Sequence, residues 1–141
     1  MPPTTNVMRP ADQSQTSFAA RAAAISDLWA LVDECSATGW DGDGALPLSK
    51  DAAVQAEEFI RALPEGVPLP EVSPESDGSV ALDWIRTPNH MLSLSIGTTD
   101  RLAYGWVDGA DTGHAVARFD GEQIPARIIE GIRADMDHLP F

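Results

Sequence analysis

The sequence predicts a single α+β domain, in which two N-terminal helices precede an antiparallel meander of four or five strands and a C-terminal helix packs on one sheet face. Three observations carry that prediction. Apolar residues recur every three or four positions between Ser17 and Thr38. The period switches to two after Pro68. It reverts to the helical period near Ile124. These are the signatures of amphipathic helix and half-buried strand.

The first helix is expected over Ser17 to Thr38, with Phe18, Ala22, Ile25, Trp29, Val32 and Cys35 on one face. Thr16 or Ser17 suits its N-cap, and Gly39 suits the left-handed residue beyond its end. Gly39-Trp40-Asp41-Gly42-Asp43-Gly44-Ala45-Leu46-Pro47 follows, a turn-rich loop by its glycines and aspartates. Ser49 then caps a second helix, Lys50 to Leu63, with Val54, Phe59, Ile60 and Leu63 as its apolar side. Pro64 and Gly66 stop it.

Pro70 to Pro74 reads as a short edge strand, because proline donates no ladder hydrogen bond. Glu75-Ser76-Asp77-Gly78 is a hairpin turn. Ser79 to Arg86 alternates: Val80, Leu82 and Trp84 take one face, Ala81, Asp83 and Ile85 the other. His90 to Gly97 returns with Leu92, Leu94 and Ile96 inward and Ser93 and Ser95 outward. Leu102, Tyr104 and Trp106 share a face of the next strand, and Ala115, Ala117 and Phe119 mark a last one. Ile124 to Leu139 closes the chain as a helix, with Pro125 in its first turn and Ile128, Ile129, Ile132 and Met136 as its stripe. Short turns between successive strands favour antiparallel pairing. The domain is expected to span residues 16–141, with residues 1–15 as a flexible arm.

At 141 residues the chain is one domain's worth, long enough for a core without staples. One cysteine, Cys35, rules out an internal disulfide. It lies in an apolar pattern, as a small core residue does. A reducing, cytoplasmic setting fits, since the sequence shows neither a signal core nor a membrane span.

The balance of 22 acids against 9 bases leaves a net charge of −13. Direct nucleic-acid binding needs clustered Lys and Arg, and binding to anionic membranes needs the same, so both are disfavoured. The excess is uneven. Between Asp41 and Asp83 stand ten acids against only Lys50 and Arg61.

Two stretches carry a resemblance. The first is Gly39-Trp40-Asp41-Gly42-Asp43-Gly44-Ala45 with Pro47, and the second is Asp77-Gly78-Ser79-Val80-Ala81-Leu82-Asp83-Trp84. Together, over roughly Leu28 to Val107, the chain resembles a group of small bacterial proteins with a WDGxGA…P loop and a DGxxxLxW strand. Asp43 stands where that group is expected to have an aromatic or another residue at least as often. The resemblance implies a shared fold and association with mobile elements, and it brings no assigned activity.

No constellation of catalytic residues stands out. Asp41-Gly42-Asp43-Gly44 follows the start of a calcium loop, but the fifth and twelfth positions are Ala45 and Ala52, where oxygen ligands are needed. His90 and His114 are expected at the same end of the meander, two strand spacings apart, with no further ligand at metal spacing. Neither a nucleophile elbow nor a phosphate loop is present. The expectation is therefore no enzyme, no metal and no cofactor.

What remains is charge. The candidate partner-binding residues are Asp41, Asp43, Glu57, Glu58, Glu65, Glu75 and Asp77, with Trp40 as an aromatic anchor. They suit a non-catalytic protein-binding module, such as an inhibitor, antitoxin, immunity or anti-defence factor. Its partner would offer a basic surface, as a nucleic-acid-binding protein does. The alternatives are a small-ligand pocket between sheet and helices, or a structural subunit of a larger, phage-type assembly.

Overall fold

The computed structural model describes residues 18–137. The expected N-terminal arm, its Thr16 or Ser17 cap and the last turn to Leu139 lie outside the described residues. Two helices, α1 (Phe18–Glu34) and α2 (Lys50–Ala62), precede five strands. These are β1 (Glu71–Pro74), β2 (Val80–Thr87), β3 (His90–Ile96), β4 (Arg101–Asp108) and β5 (Asp111–Arg118). Helix α3 (Ala126–Asp137) follows. The strands form one antiparallel sheet in the order β1-β2-β3-β4-β5, as expected when short turns join successive strands.

The period-two reading sets the faces of the sheet. Val80, Leu82 and Trp84 stand in register with Ile96, Leu94 and Leu92, and all six are buried. Leu102 and Tyr104 extend this inner face into β4, and Ala117 into β5. Helices α2 and α3 lie over β2 and β3, while α1 lies on α2 and β1. Phe59 from α2 joins the layers: its ring meets Trp84 at 6.2 Å and Phe119 edge-on at 5.5 Å between centroids. Gly131 lets α3 approach the sheet, because a Cβ there would come within 2.8 Å of Leu92 Cδ1.

Two helical stripes differ from expectation. In α1 the buried residues are Leu28 and Val32, followed by Cys35 just past the helix end. Phe18 is 87% exposed and Ala22 is exposed. Alanines fill so many positions of this helix that several stripes are equally apolar, and packing against α2 decides between them. In α2 the buried residues are Ala52, Ala53, Ala56, Phe59 and Ile60, whereas Val54 is exposed. Small alanines bring this helix close to the sheet. The N-cap is as expected: Ser49 Oγ accepts the Ala52 N–H at 3.1 Å.

The sequence did not reveal the role of Arg21. Its Nη1 donates to the carbonyls of Ile60, Arg61 and Leu63 at 2.8, 3.0 and 2.9 Å. A guanidinium there satisfies carbonyls that the end of α2 leaves open and complements the negative end of its dipole.

The sheet's other face carries Ser73, Ala81, Ser95, Ala103 and Val116 in one cross-strand row. The next row is Glu71, Asp83, Ser93, Gly105 and His114. Among the described residues, no helix packs on this outer face.

Candidate binding surface

The loop after α1 is built from its glycines and one aspartate. Gly39, Gly42 and Gly44 hold φ of +77°, +81° and +81°, values that side-chain-bearing residues rarely adopt. Asp41 Oδ1 accepts the backbone N–H groups of Asp43 and Ala45 at 2.8 and 3.1 Å. Those amides, that of Asp43 first, hold the Asp41 carboxyl below the usual carboxylate range. Trp40 is half-buried against the core and donates its indole N–H to the Leu46 carbonyl at 2.7 Å. Its polar atom is therefore spent within its own loop.

This loop is hydrogen-bonded to the β1–β2 turn. Leu46 N–H donates to Ser76 O at 2.8 Å, and Ser49 N–H to Gly78 O at 2.9 Å. Gly78 has φ +91°, and a Cβ on it would sit 3.0 Å from the Pro47 carbonyl. The two motif stretches, more than thirty positions apart in sequence, thus form one backbone-bonded unit. It holds the loop that carries Asp41 and Asp43 against the turn that carries Glu75 and Asp77.

The carboxylates continue from this unit onto the open sheet face. Glu75 accepts the Ser95 hydroxyl, and Asp83 accepts the Ser93 hydroxyl. Glu71 stands opposite Asp83 across the β1–β2 pair. Asp77 Oδ1 accepts the Ser79 N–H at 3.0 Å. Among the described residues none of Asp41, Asp43, Glu71, Glu75, Asp77 or Asp83 pairs with a cationic side chain. Lys50, at the start of α2, is the nearest base in sequence to the loop. Glu71 and Asp83 were not among the expected site residues. The signal for Asp83 was its place between Ala81 and Ile85 on the polar phase of β2.

The other expected acids are engaged elsewhere. Glu57 accepts the Trp29 indole N–H at 2.7 Å and pairs with Arg61 at 2.8 Å. The Trp29 bond, with help from Arg61, pulls its carboxyl below the ordinary glutamate value. Glu65 lies 3.8 Å from Arg21. Glu58 leans toward Gly121 in the loop before α3. Glu57 and Glu65 are thus tied to cations within the chain, whereas Asp41, Asp43, Glu71 and Asp77 are exposed and Glu75 and Asp83 are half-buried, each accepting a serine hydroxyl.

The histidines do not stand as expected. His90 is held by Thr87 Oγ1 at 3.1 Å and lies 3.5 Å from Asp108. His114 is opposite Gly105, three rungs farther from the sheet's end, on the outer face. The register of the two-residue Gly109-Ala110 turn starts β5 at Asp111 rather than near His114, which separates the pair. His138 lies outside the described residues. No group of three potential metal ligands converges among the described residues. Cys35 is buried, and that burial, with Glu34 nearby, raises its thiol pKa, which disfavours the thiolate.

A second feature is a cavity of about 270 Å³ between α3 and the β3–β4 end of the sheet. Leu92, Tyr104, Trp106 and Gly131 line it, with the exposed Asp111 and Arg127 at its mouth. The Trp106 ring lies flat over Gly113, where any Cβ would collide with it.

No helix among the described residues is long and apolar enough to cross a membrane. Comparison with protein-family models, with characterised proteins and with solved structures returns no match to this chain.

Proposed function

We propose that this chain is a non-catalytic binding module that presents an acidic surface to a basic surface of a partner protein, in the manner of an inhibitor, antitoxin, immunity or anti-defence factor. The observation that supports this most is the run of carboxylates from Asp41 and Asp43 through Glu75 and Asp77 to Asp83 and Glu71, which pair with no cationic side chain among the described residues. A carboxylate without an internal cation keeps its charge available to an external one. Backbone bonds hold this run on two stitched loops and a sheet, so little conformational entropy is lost when a partner docks. Complementary charge chiefly raises association rate and selects the partner. Surfaces that hold nucleic acid offer the Lys and Arg needed. In this reading Trp40 braces the loop, and Glu57 and Glu65 brace the helices. The resemblance to small mobile-element proteins agrees with such a role.

Reversing Asp41, Asp43 and Glu75 together to lysine is expected to slow association with the partner at least tenfold, in proportion to the charge removed. Reversing Glu122 and Glu130, which lie off this surface, is the control. Surface plasmon resonance at graded ionic strength reads both. Equal effects of the two variants would assign the charge to general repulsion and reject the surface. A second reading, a small-ligand module, draws on the cavity walled by Tyr104 and Trp106.

A further inference from the structure

The two edges of the sheet are treated differently. Strand β1 has four residues, ends at Pro74 and follows Pro70. Helix α1 lies against it, with Ala20, Ala23 and Ala24 facing Leu69 and Val72 across a shallow groove. Proline, shortness and a covering helix are the usual protections of a strand edge. Among the described residues, strand β5 has none of them. It runs eight residues from Asp111 to Arg118, contains no proline and pairs with β4 without a register break.

Its hydrogen-bonding phase follows from its turn. Gly109 and Ala110 join Asp108 to Asp111 as a two-residue hairpin. In such hairpins the pair closing the turn exchanges both hydrogen bonds, and alternate residues thereafter do the same. Asp111, Gly113, Ala115 and Ala117 therefore turn their N–H and C=O groups toward β4. Thr112, His114, Val116 and Arg118 turn theirs away from the sheet.

We infer that β5 is a self-association edge, where a second copy of this chain pairs antiparallel to form a continuous sheet across a two-fold axis at Ala115. That register sets Thr112 opposite Arg118 of the second copy and His114 opposite Val116 of the second copy. All four residues are in the outward hydrogen-bonding phase and on the same sheet face, as antiparallel pairing requires. The intervening pairs are Ala115 with its own copy and Gly113 with Ala117, small enough for close approach. No like charges stand opposite each other. Asp111 and Arg118, the latter paired with Asp100 at 2.9 Å, lie at the two ends of β5, and no Asp, Glu, Lys or Arg stands between Gly113 and Ala117 around the axis, so two copies meet there with little local repulsion. The acidic surface lies on β1, β2 and the loops beyond them, so it stays open in the pair.

Sedimentation velocity on the full chain is expected to show a species of twice 15.1 kDa at about 100 μM, a concentration that populates even weak complexes. Val116→Pro removes one outward N–H and leaves the β4 ladder intact, so it should give a monomer with an unchanged circular dichroism spectrum. Hydrogen exchange supplies a readout that needs no variant. The amides of Thr112, His114 and Val116 should be protected like those of Gly113, Ala115 and Ala117 at high concentration, and should lose that protection on dilution. A wild-type monomer at that concentration would overturn the inference. So would a dimer that survives in a folded Val116→Pro, or alternating protection along β5 in a dimeric sample.

Discussion

Trp84 donates its indole N–H to the Pro68 carbonyl at 2.7 Å and stacks obliquely on Phe59, with only 1% of its surface exposed. It does two jobs, filling the space between sheet and α2 and satisfying a carbonyl in the segment that leads into β1. Trp84→Ala is expected to cost about 3–5 kcal/mol in chemical denaturation, because a large buried ring leaves a cavity that collapses only in part. Trp84→Phe separates the jobs: it retains most of the packing and orphans Pro68 O, for a cost of about 1–3 kcal/mol. A loss under about 1 kcal/mol for Trp84→Ala would place the side chain at the surface and invert the sheet. Trp84 was legible as core because its neighbours alternate strictly, with Leu82 and Val80 on its face. Phe18 was misread for the opposite reason. Helical spacing alone sets no limit on where along α1 the burial stops, and the buried stripe begins only at Leu28.

Helix α2 shows which element-level signals are strong. Ser49 adopts an extended backbone at φ −73° and ψ 129°, and its hydroxyl caps the Ala52 amide. Ser49→Ala is expected to lower stability by about 1 kcal/mol, and Ser49→Gly by only a few tenths, because glycine leaves that amide open to water. The Ser49 N–H to Gly78 bond is backbone and persists in both variants, so thermal unfolding of the pair isolates the cap. Equal losses would mean that water does not reach the Ala52 amide in the glycine variant and so does not offset the missing hydroxyl. The Ser49 cap, the Pro64–Gly66 stop and the strand alternation are local, and each of those readings survived in the structure, whereas α1 ends at Glu34 and not at the expected Thr38 before Gly39. The phase of α2 was harder to read, since Val54 and the alanines are all apolar and only the sheet's proximity favours the smaller residues. The candidate site was legible in its parts and not in its assembly. Asp41 and Asp77 each stood out in sequence, but the backbone bonds that join their loops have no periodicity to announce them. Glu57 and Arg61 form an i,i+4 pair within α2, but the Trp29 bond to Glu57 and the pairing of Glu65 with Arg21 depend on how α1 meets α2.

For the whole molecule, a charge of −13 and a few anchored carboxylates act on stability in opposite directions as pH falls. Protonating ordinary surface acids relieves mutual repulsion and favours the compact state. Asp41, Glu57 and Asp120 behave differently. Each is held below its usual value by hydrogen bonds: Asp41 by the amides of Asp43 and Ala45, Glu57 first by Trp29, and Asp120 by the amides of Gln123 and Glu122. A carboxyl with a lower value in the folded state binds its proton more readily when unfolded. Its contribution is therefore fully present above the unfolded value, near about pH 4, and is lost as pH falls through the folded value. The melting temperature is expected to hold or rise from neutrality toward about pH 5 and then to fall steeply below about pH 4. Asp41→Asn separates the two effects, since the amide oxygen still accepts from Asp43 and Ala45 but no longer titrates there. Subtracting its melting profile from that of the wild type cancels the shared relief of repulsion. The difference should be constant above about pH 5 and should shrink as pH drops below 4. Parallel profiles down to about pH 3 would show that the Asp41 carboxylate does not anchor the loop in its charged form, and the acid sensitivity would then be assigned to Glu57 and Asp120.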